Sequence, residues 1–219
     1  MTPDDPTTTE RHAPVVLWIV ALCVIPEVVM TLLGAPLFGV TGLRRQAIVH
    51  GAFWPGLLSG WDPIYPGQQA VMFVSYAFLH GGLMHLLFNM LVLVHLARET
   101  VARLGQWGFA LIFAVTAAGG AACFALLSSS PGPMVGASGA VFGLFGATQY
   151  WDYQRRRAAG APLGPVWRMM FGLVLMNVVL WFLVSGYLAW EAHLGGYIAG
   201  FAFARIATPT MHHRAGGFR

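Results

Sequence analysis

The sequence predicts an all-α membrane protein, a bundle of six transmembrane helices with a long first outer loop. Three observations carry that reading. The 219 residues are 57% hydrophobic and only 9% charged, against about 25% charged in an average soluble domain. The apolar residues fall in runs able to cross the roughly 30 Å hydrocarbon core of a bilayer. The charges collect in the gaps between those runs. Composition therefore disfavours a soluble enzyme, and the net charge of +4 does not point to nucleic acid, because all 12 basic residues are arginines set mainly between apolar runs. The bilayer is the expected solvent and no nucleic-acid partner is expected.

Residues 1–13 are polar, without the basic start of a signal peptide, and read as a cytoplasmic tail. Residues 14–207 read as one membrane domain. Its spans are expected at Pro14–Pro36, Tyr76–Ala97, Gly105–Leu127, Ser138–Tyr153, Val166–Ser185 and Trp190–Ala207. Residues 208–219 read as a second cytoplasmic tail, whose His212-His213 pair receives no role. Arginine placement sets the orientation. With the N-terminus inside, ten arginines fall on cytoplasmic segments and only Arg44 and Arg45 outside. Both termini are therefore expected in the cytoplasm, and the absence of lysine fits the codon bias of a GC-rich bacterial genome, so the expected location is a bacterial inner membrane.

Two segments depart from a plain bundle. The stretch from Leu37 to Ser75 carries Phe53-Trp54-Pro55-Gly56, Trp61-Asp62-Pro63 and Tyr65-Pro66-Gly67. Trp and Tyr favour the membrane interface, so this outer loop is expected on or partly in the bilayer surface. The fourth span is short, about 24 Å at 1.5 Å per residue. If Arg155, Arg156 and Arg157 anchor it at the cytoplasmic face, Ser138 begins a helix below the outer surface, in a sheltered and hydrated pocket.

Polar groups inside spans are costly and are functional candidates by default. Spans two, four and six run from outside to inside. His85 and Asn89 sit early in the second, Ser138 opens the fourth and His193 comes early in the sixth, so all four belong at similar depth. His85 and Asn89 are four residues apart and share a helix face. Ser138 sits in Gly136-Ala137-Ser138-Gly139, where flanking glycines allow close backbone approach and a helix start offers free N–H groups. His193 can serve as the base for a serine hydroxyl. Nucleophile, base and oxyanion donors are the parts of an acyl-transfer site. Gly139, Gly143 and Gly146 on span four, with Gly196 and Gly200 on span six, have the small-residue spacing of closely packed membrane helices. That contact would bring His193 to Ser138, and Phe142 could pack on the imidazole. Glu27 follows Pro26 within the first span, where it is expected protonated or paired with a polar group of the long loop. Asn177 is expected to bond between helices and His95 to lie at the interface. Cys23 and Cys123 have no metal-ligand spacing and read as core.

At these residues the chain resembles the rhomboid family of intramembrane serine proteases. The matching segments are His80 to Met90, with His80, His85 and Asn89; Gly136 to Gly143, with Ser138; and Ala192 to Gly200, with His193. The resemblance implies a six-helix rhomboid fold and a serine–histidine dyad without an acidic third member. It makes Ser138 the nucleophile and His193 the general base. The Ser138 backbone N–H, His85 and Asn89 become the oxyanion hole, and His80 a structural support for the first outer loop. The substrates it implies are transmembrane proteins cut near the outer membrane face, with no metal or organic cofactor. The family's Trp-Arg pair in the outer loop is missing, Arg44-Arg45 and Trp54 being separate. A catalytically silent rhomboid-like protein that binds membrane clients, or a transporter or channel using the intramembrane histidines, are the alternative readings.

Overall fold

The computed structural model describes residues 14–34, 38 and 40–207. Among them the chain forms seven helices: α1 (Pro14–Leu33), α2 (Leu43–Gly51), α3 (Gln68–Ser75), α4 (Leu83–Leu127), α5 (Ser138–Ala158), α6 (Gly164–Leu183) and α7 (Trp190–Ala207). Two short 3-10 turns, Pro55–Leu58 and Tyr76–Phe78, sit between them. The helix α4 is two arms, 83–104 and 106–127, which meet where Gly105 leaves helical geometry at φ 71° and ψ 179°. Only glycine takes that backbone conformation without steric cost.

Three helices, α1, α4 and α6, are long and apolar enough to cross a membrane by length and composition. The helices α5 and α7 are less apolar for a physical reason. Most of α5 packs inside the bundle and meets other helices rather than lipid, while α7 buries the face that carries Ala192, His193, Gly196 and Gly200 and exposes Leu194, Ile198 and Ile206. Twelve residues of α5 are buried, from Gly139 to Trp151, whereas α6 buries only Val166.

The element boundaries correct the sequence reading at both ends of the second span, whose helix continues past Ala97 to residue 104, at the end of the fourth, and in the outer segment. The second span does not begin at Tyr76. Residues 68–78 form α3 and a 3-10 turn, and α4 starts only at Leu83, after Gly82 at φ 147°. The fourth helix continues past Tyr153 to Ala158, so Arg155, Arg156 and Arg157 lie on its last turns rather than beyond it. Asp152 pairs with Arg155 and with Arg156, the latter at 2.7 Å, which supports these turns by about 0.2–0.5 kcal/mol per pair. The stretch from Leu37 to Ser75 is not simply loop, since it holds α2 and α3. The tails, with His212-His213, lie outside the described residues.

This outer segment is fastened at several points. Arg44 on α2 donates two hydrogen bonds to the fully buried Glu27 of α1, at 2.7 and 2.8 Å, and one to the His80 carbonyl at 2.9 Å. Thr31 completes the cluster. Of the two states expected for Glu27, the paired one is present. The Glu27 carboxylate raises the Arg44 pKa above its ordinary value. The Trp54 indole donates to the Ile48 carbonyl at 3.0 Å. Arg44 and Trp54 thus tie down the loop at separate points, although the adjacent Trp-Arg pair is missing.

Candidate active site

The helices α5 and α7 meet with their backbones in contact. A Cβ added at Gly196 would land on the Gly139 carbonyl oxygen. One at Gly200 would land on that of Gly143, and one at Gly146 on that of Tyr197. The other face of α7 meets the second arm of α4 in the same way, Gly195 against the Gly119 carbonyl and the Cys123 side chain. Only glycine permits this approach, and each contact fixes the height of one helix against the next.

Ser138 is the first residue of α5 and is half-buried. Its neighbour Gly139 faces the Ala192 carbonyl and side chain, next to His193. His193 is buried, at 4% exposure, and its ring stacks on Phe142 with centroids 4.1 Å apart and planes within 4°. Among the described residues no hydrogen bond joins the Ser138 hydroxyl to the imidazole. Catalytic hydrogen bonds are often long until substrate is bound.

The first arm of α4 brings up the other side. Gly136 (φ 125°) presses on the His85 ring, where an added Cβ would lie 2.7 Å from Cε1 and 2.8 Å from Nε2. The Gly81 N–H donates to His85 Nδ1 at 3.4 Å, which favours the tautomer with its proton on Nε2, on the side of the Gly136 loop. Asn89 is buried one turn further on, and its amide donates to the His85 carbonyl at 2.9 Å. His80 is almost fully buried. Its ring lies 5.2 Å from that of His85, and its Nε2 accepts from the Ala137 N–H at 3.5 Å. His80, His85, Gly136, Gly139, Phe142, His193 and Gly196 therefore gather around the start of α5. Gly200 lies further along the α5–α7 contact, and His95 is exposed, apart from this cluster.

Two residues join the site without having been assigned to it from the sequence. Tyr76, 1% exposed, donates from its hydroxyl to the Ala117 carbonyl at 2.9 Å, and its own carbonyl accepts from the Gly136 N–H at 3.0 Å. It wedges between α4 and α5, and nothing in an apolar run marks such a tyrosine beforehand. Asn177 on α6 lies 2.6 Å from His193, Oδ1 to Nδ1. Its signal was available, as the one strongly polar side chain between Met169 and Leu183. A cleft of about 490 Å³ opens here, lined by Phe142, Leu173, Asn177, Trp181, Trp190 and His193 among others.

An all-helical bundle with helices long and apolar enough to cross a bilayer defines a class, the helical membrane proteins. The chain matches the family model described as the Rhomboid domain over residues 67–210, and it belongs to the rhomboid family. It is similar to the rhomboid protease GluP of Bacillus subtilis, 34% identical over 141 residues, which is 64% of this chain and 26% of that protein. It is also similar to the rhomboid protease GlpG of Salmonella typhi, 29% identical over 222 aligned positions, covering 95% of this chain and 68% of that one. The chain thus spans about a quarter of the length of GluP.

Proposed function

We propose that this protein is an intramembrane serine endopeptidase that cleaves transmembrane proteins near the outer end of their spans. The observation that supports it most is the interlocked α5–α7 pair, with the His193 ring stacked on Phe142 one turn along from Ser138. In the reaction, the Ser138 Oγ attacks the scissile carbonyl while His193 Nε2 takes its proton. The Ser138 backbone N–H, the His85 imidazole and the Asn89 amide receive the developing oxyanion. The imidazolium then protonates the leaving amine, and an acyl-enzyme remains on Ser138. Water, deprotonated by His193, releases the carboxylate product and restores the hydroxyl. His80 acts here as scaffold. The chemistry calls for no metal or organic cofactor.

The same reading makes residues 14–207 a six-span domain, counting α1, both arms of α4, α5, α6 and α7. It sets both termini in the cytoplasm of a bacterial cell and opens the site outward, in keeping with the arginine distribution. A substrate helix must unwind locally, because its amides are shielded by their own hydrogen bonds.

Labelling with a fluorophosphonate tests the reading. The wild type should be tagged and Ser138→Ala should not, and neither Ser138→Ala nor His193→Ala should cleave a model transmembrane substrate. Cleavage that survives in Ser138→Ala rules out the mechanism, and a wild type that binds substrate without being tagged makes the protein a silent client-binding relative. Asn89→Ala should lower kcat by about 100- to 1000-fold, the cost of one oxyanion donor.

A further inference from the structure

Resting on that reading, we propose that Asn177 is a positioning residue which holds the His193 imidazole in the tautomer protonated at Nδ1, leaving Nε2 as the basic nitrogen. The direction of the contact follows from hydrogen-bond inventory. The Asn177 Nδ2 donates to the Leu173 carbonyl, four residues back on α6, at 2.9 Å. This fixes the amide with its oxygen toward His193, 2.6 Å from Nδ1. An amide oxygen only accepts, so Nδ1 must supply the proton. In a neutral imidazole the lone pair then resides on Nε2.

The two contacts on the ring are complementary. Phe142 lies parallel to it and sets its plane. Stacking is equally satisfied by the ring turned 180° about Cβ–Cγ, which exchanges its two edges, and it says nothing about the proton. Asn177 supplies what stacking lacks, an in-plane anchor that is specific for one nitrogen. The anchor comes from a different helix, α6, so the site draws its nucleophile from α5, its base from α7 and the orientation of that base from α6. The dyad thereby acquires a third, uncharged member. A carboxylate there would need a second charge stabilised at membrane depth, and an amide needs none.

The test uses the full-length protein in detergent micelles or liposomes, with Asn177→Ala, Asn177→Leu and Asn177→Asp. Nitrogen NMR of ¹⁵N-histidine-labelled protein, with His193 assigned by difference from His193→Ala, reads the tautomer without any substrate. The wild type should show the proton on Nδ1. Asn177→Ala and Asn177→Leu should show a tautomer mixture, keep KM, and lose about 10- to 100-fold in kcat through misorientation of the base, well beyond the modest fall in melting temperature that losing one of the polar ties of α6 brings. Asn177→Asp keeps an acceptor beside Nδ1 and should restore the Nδ1 proton, but it loses the Nδ2 bond to Leu173 and brings a charge to membrane depth, so kcat should recover only in part. The proposal is overturned if the Nδ1 proton is unchanged in Asn177→Ala, if kcat is unchanged, or if kcat falls only in step with melting temperature. A wild type that cleaves nothing defeats the protease reading, while the tautomer measurement still decides the role of Asn177.

Discussion

The helices α5 and α6 follow one another in the chain and are held in opposite ways. Along α5, glycine after glycine touches the carbonyls of α7 or the side chain of Thr116 on α4. Along α6, Phe171, Val174, Phe182 and Leu183 are all more than half exposed, and the ties inward are few. The Gln149 amide donates to the Val166 carbonyl at 2.7 Å, and Asn177 meets His193. Apolar side chains gain nothing by leaving lipid for one another, so helix association in a membrane depends on close packing and on polar contacts. By that measure α5 belongs to the rigid frame and α6 is attached through two amides. The difference teaches where precision is needed. The serine and histidine are carried by elements that cannot shift without a backbone clash, while the neighbouring wall is held by fewer contacts, chief among them Asn177 on His193.

The contrast can be broken most severely at the α5–α7 contact. Gly200→Val should prevent recovery of folded protein, measured as the yield of monodisperse material and its thermal unfolding. Overpacking usually costs about 1–3 kcal/mol, and here the obstacle is a carbonyl that cannot rotate away, so the cost should exceed that range. Next comes the outer clamp. Arg44→Ala strands a buried Glu27 and should destabilise by about 3–5 kcal/mol. Glu27→Gln should cost less, because Arg44 is a third exposed and can turn to water. Equal losses from the two variants would show that the clamp is not governed by which partner is buried. The smallest effect belongs to the lipid face of α6. Val179→Ala, at a position 47% exposed, should change unfolding by no more than about 0.5 kcal/mol. A large loss there would mean that α6 is part of the frame after all.

Much of this was legible in the sequence. The last helix runs from Trp190 to Ala207 as its hydropathy predicted, and α5 begins at Ser138, where the helix start was expected. Periodic glycine marked the α5–α7 contact because a Cβ-free position repeated every three or four residues leaves few other uses. What stayed hidden depends on distant contacts. The start of α4 was misjudged because Tyr76–Leu79 is as apolar as the helix itself, and it is Gly82 that breaks the run. The end of α5 was misjudged because its arginines looked like a loop, while Asp152 one turn back stabilises them as helix. The pairing of Glu27 with Arg44 was one of two open choices, since a carboxylate in an apolar run announces a need without naming its partner. Asn177 stood out as polar, but its bearing on one nitrogen of one ring follows only from the approach of α6 to α7.

The antiparallel bridge between Phe53 and Met134 has a consequence of its own. Each residue's N–H donates to the other's carbonyl, at 3.0 and 2.9 Å, so the outer loop and the approach to Ser138 share a single stitch of backbone four residues from the hydroxyl. Neither strand end can swing out alone. Amide exchange at the two positions should slow and quicken together, and a tug on the loop from the water side should be felt at the serine.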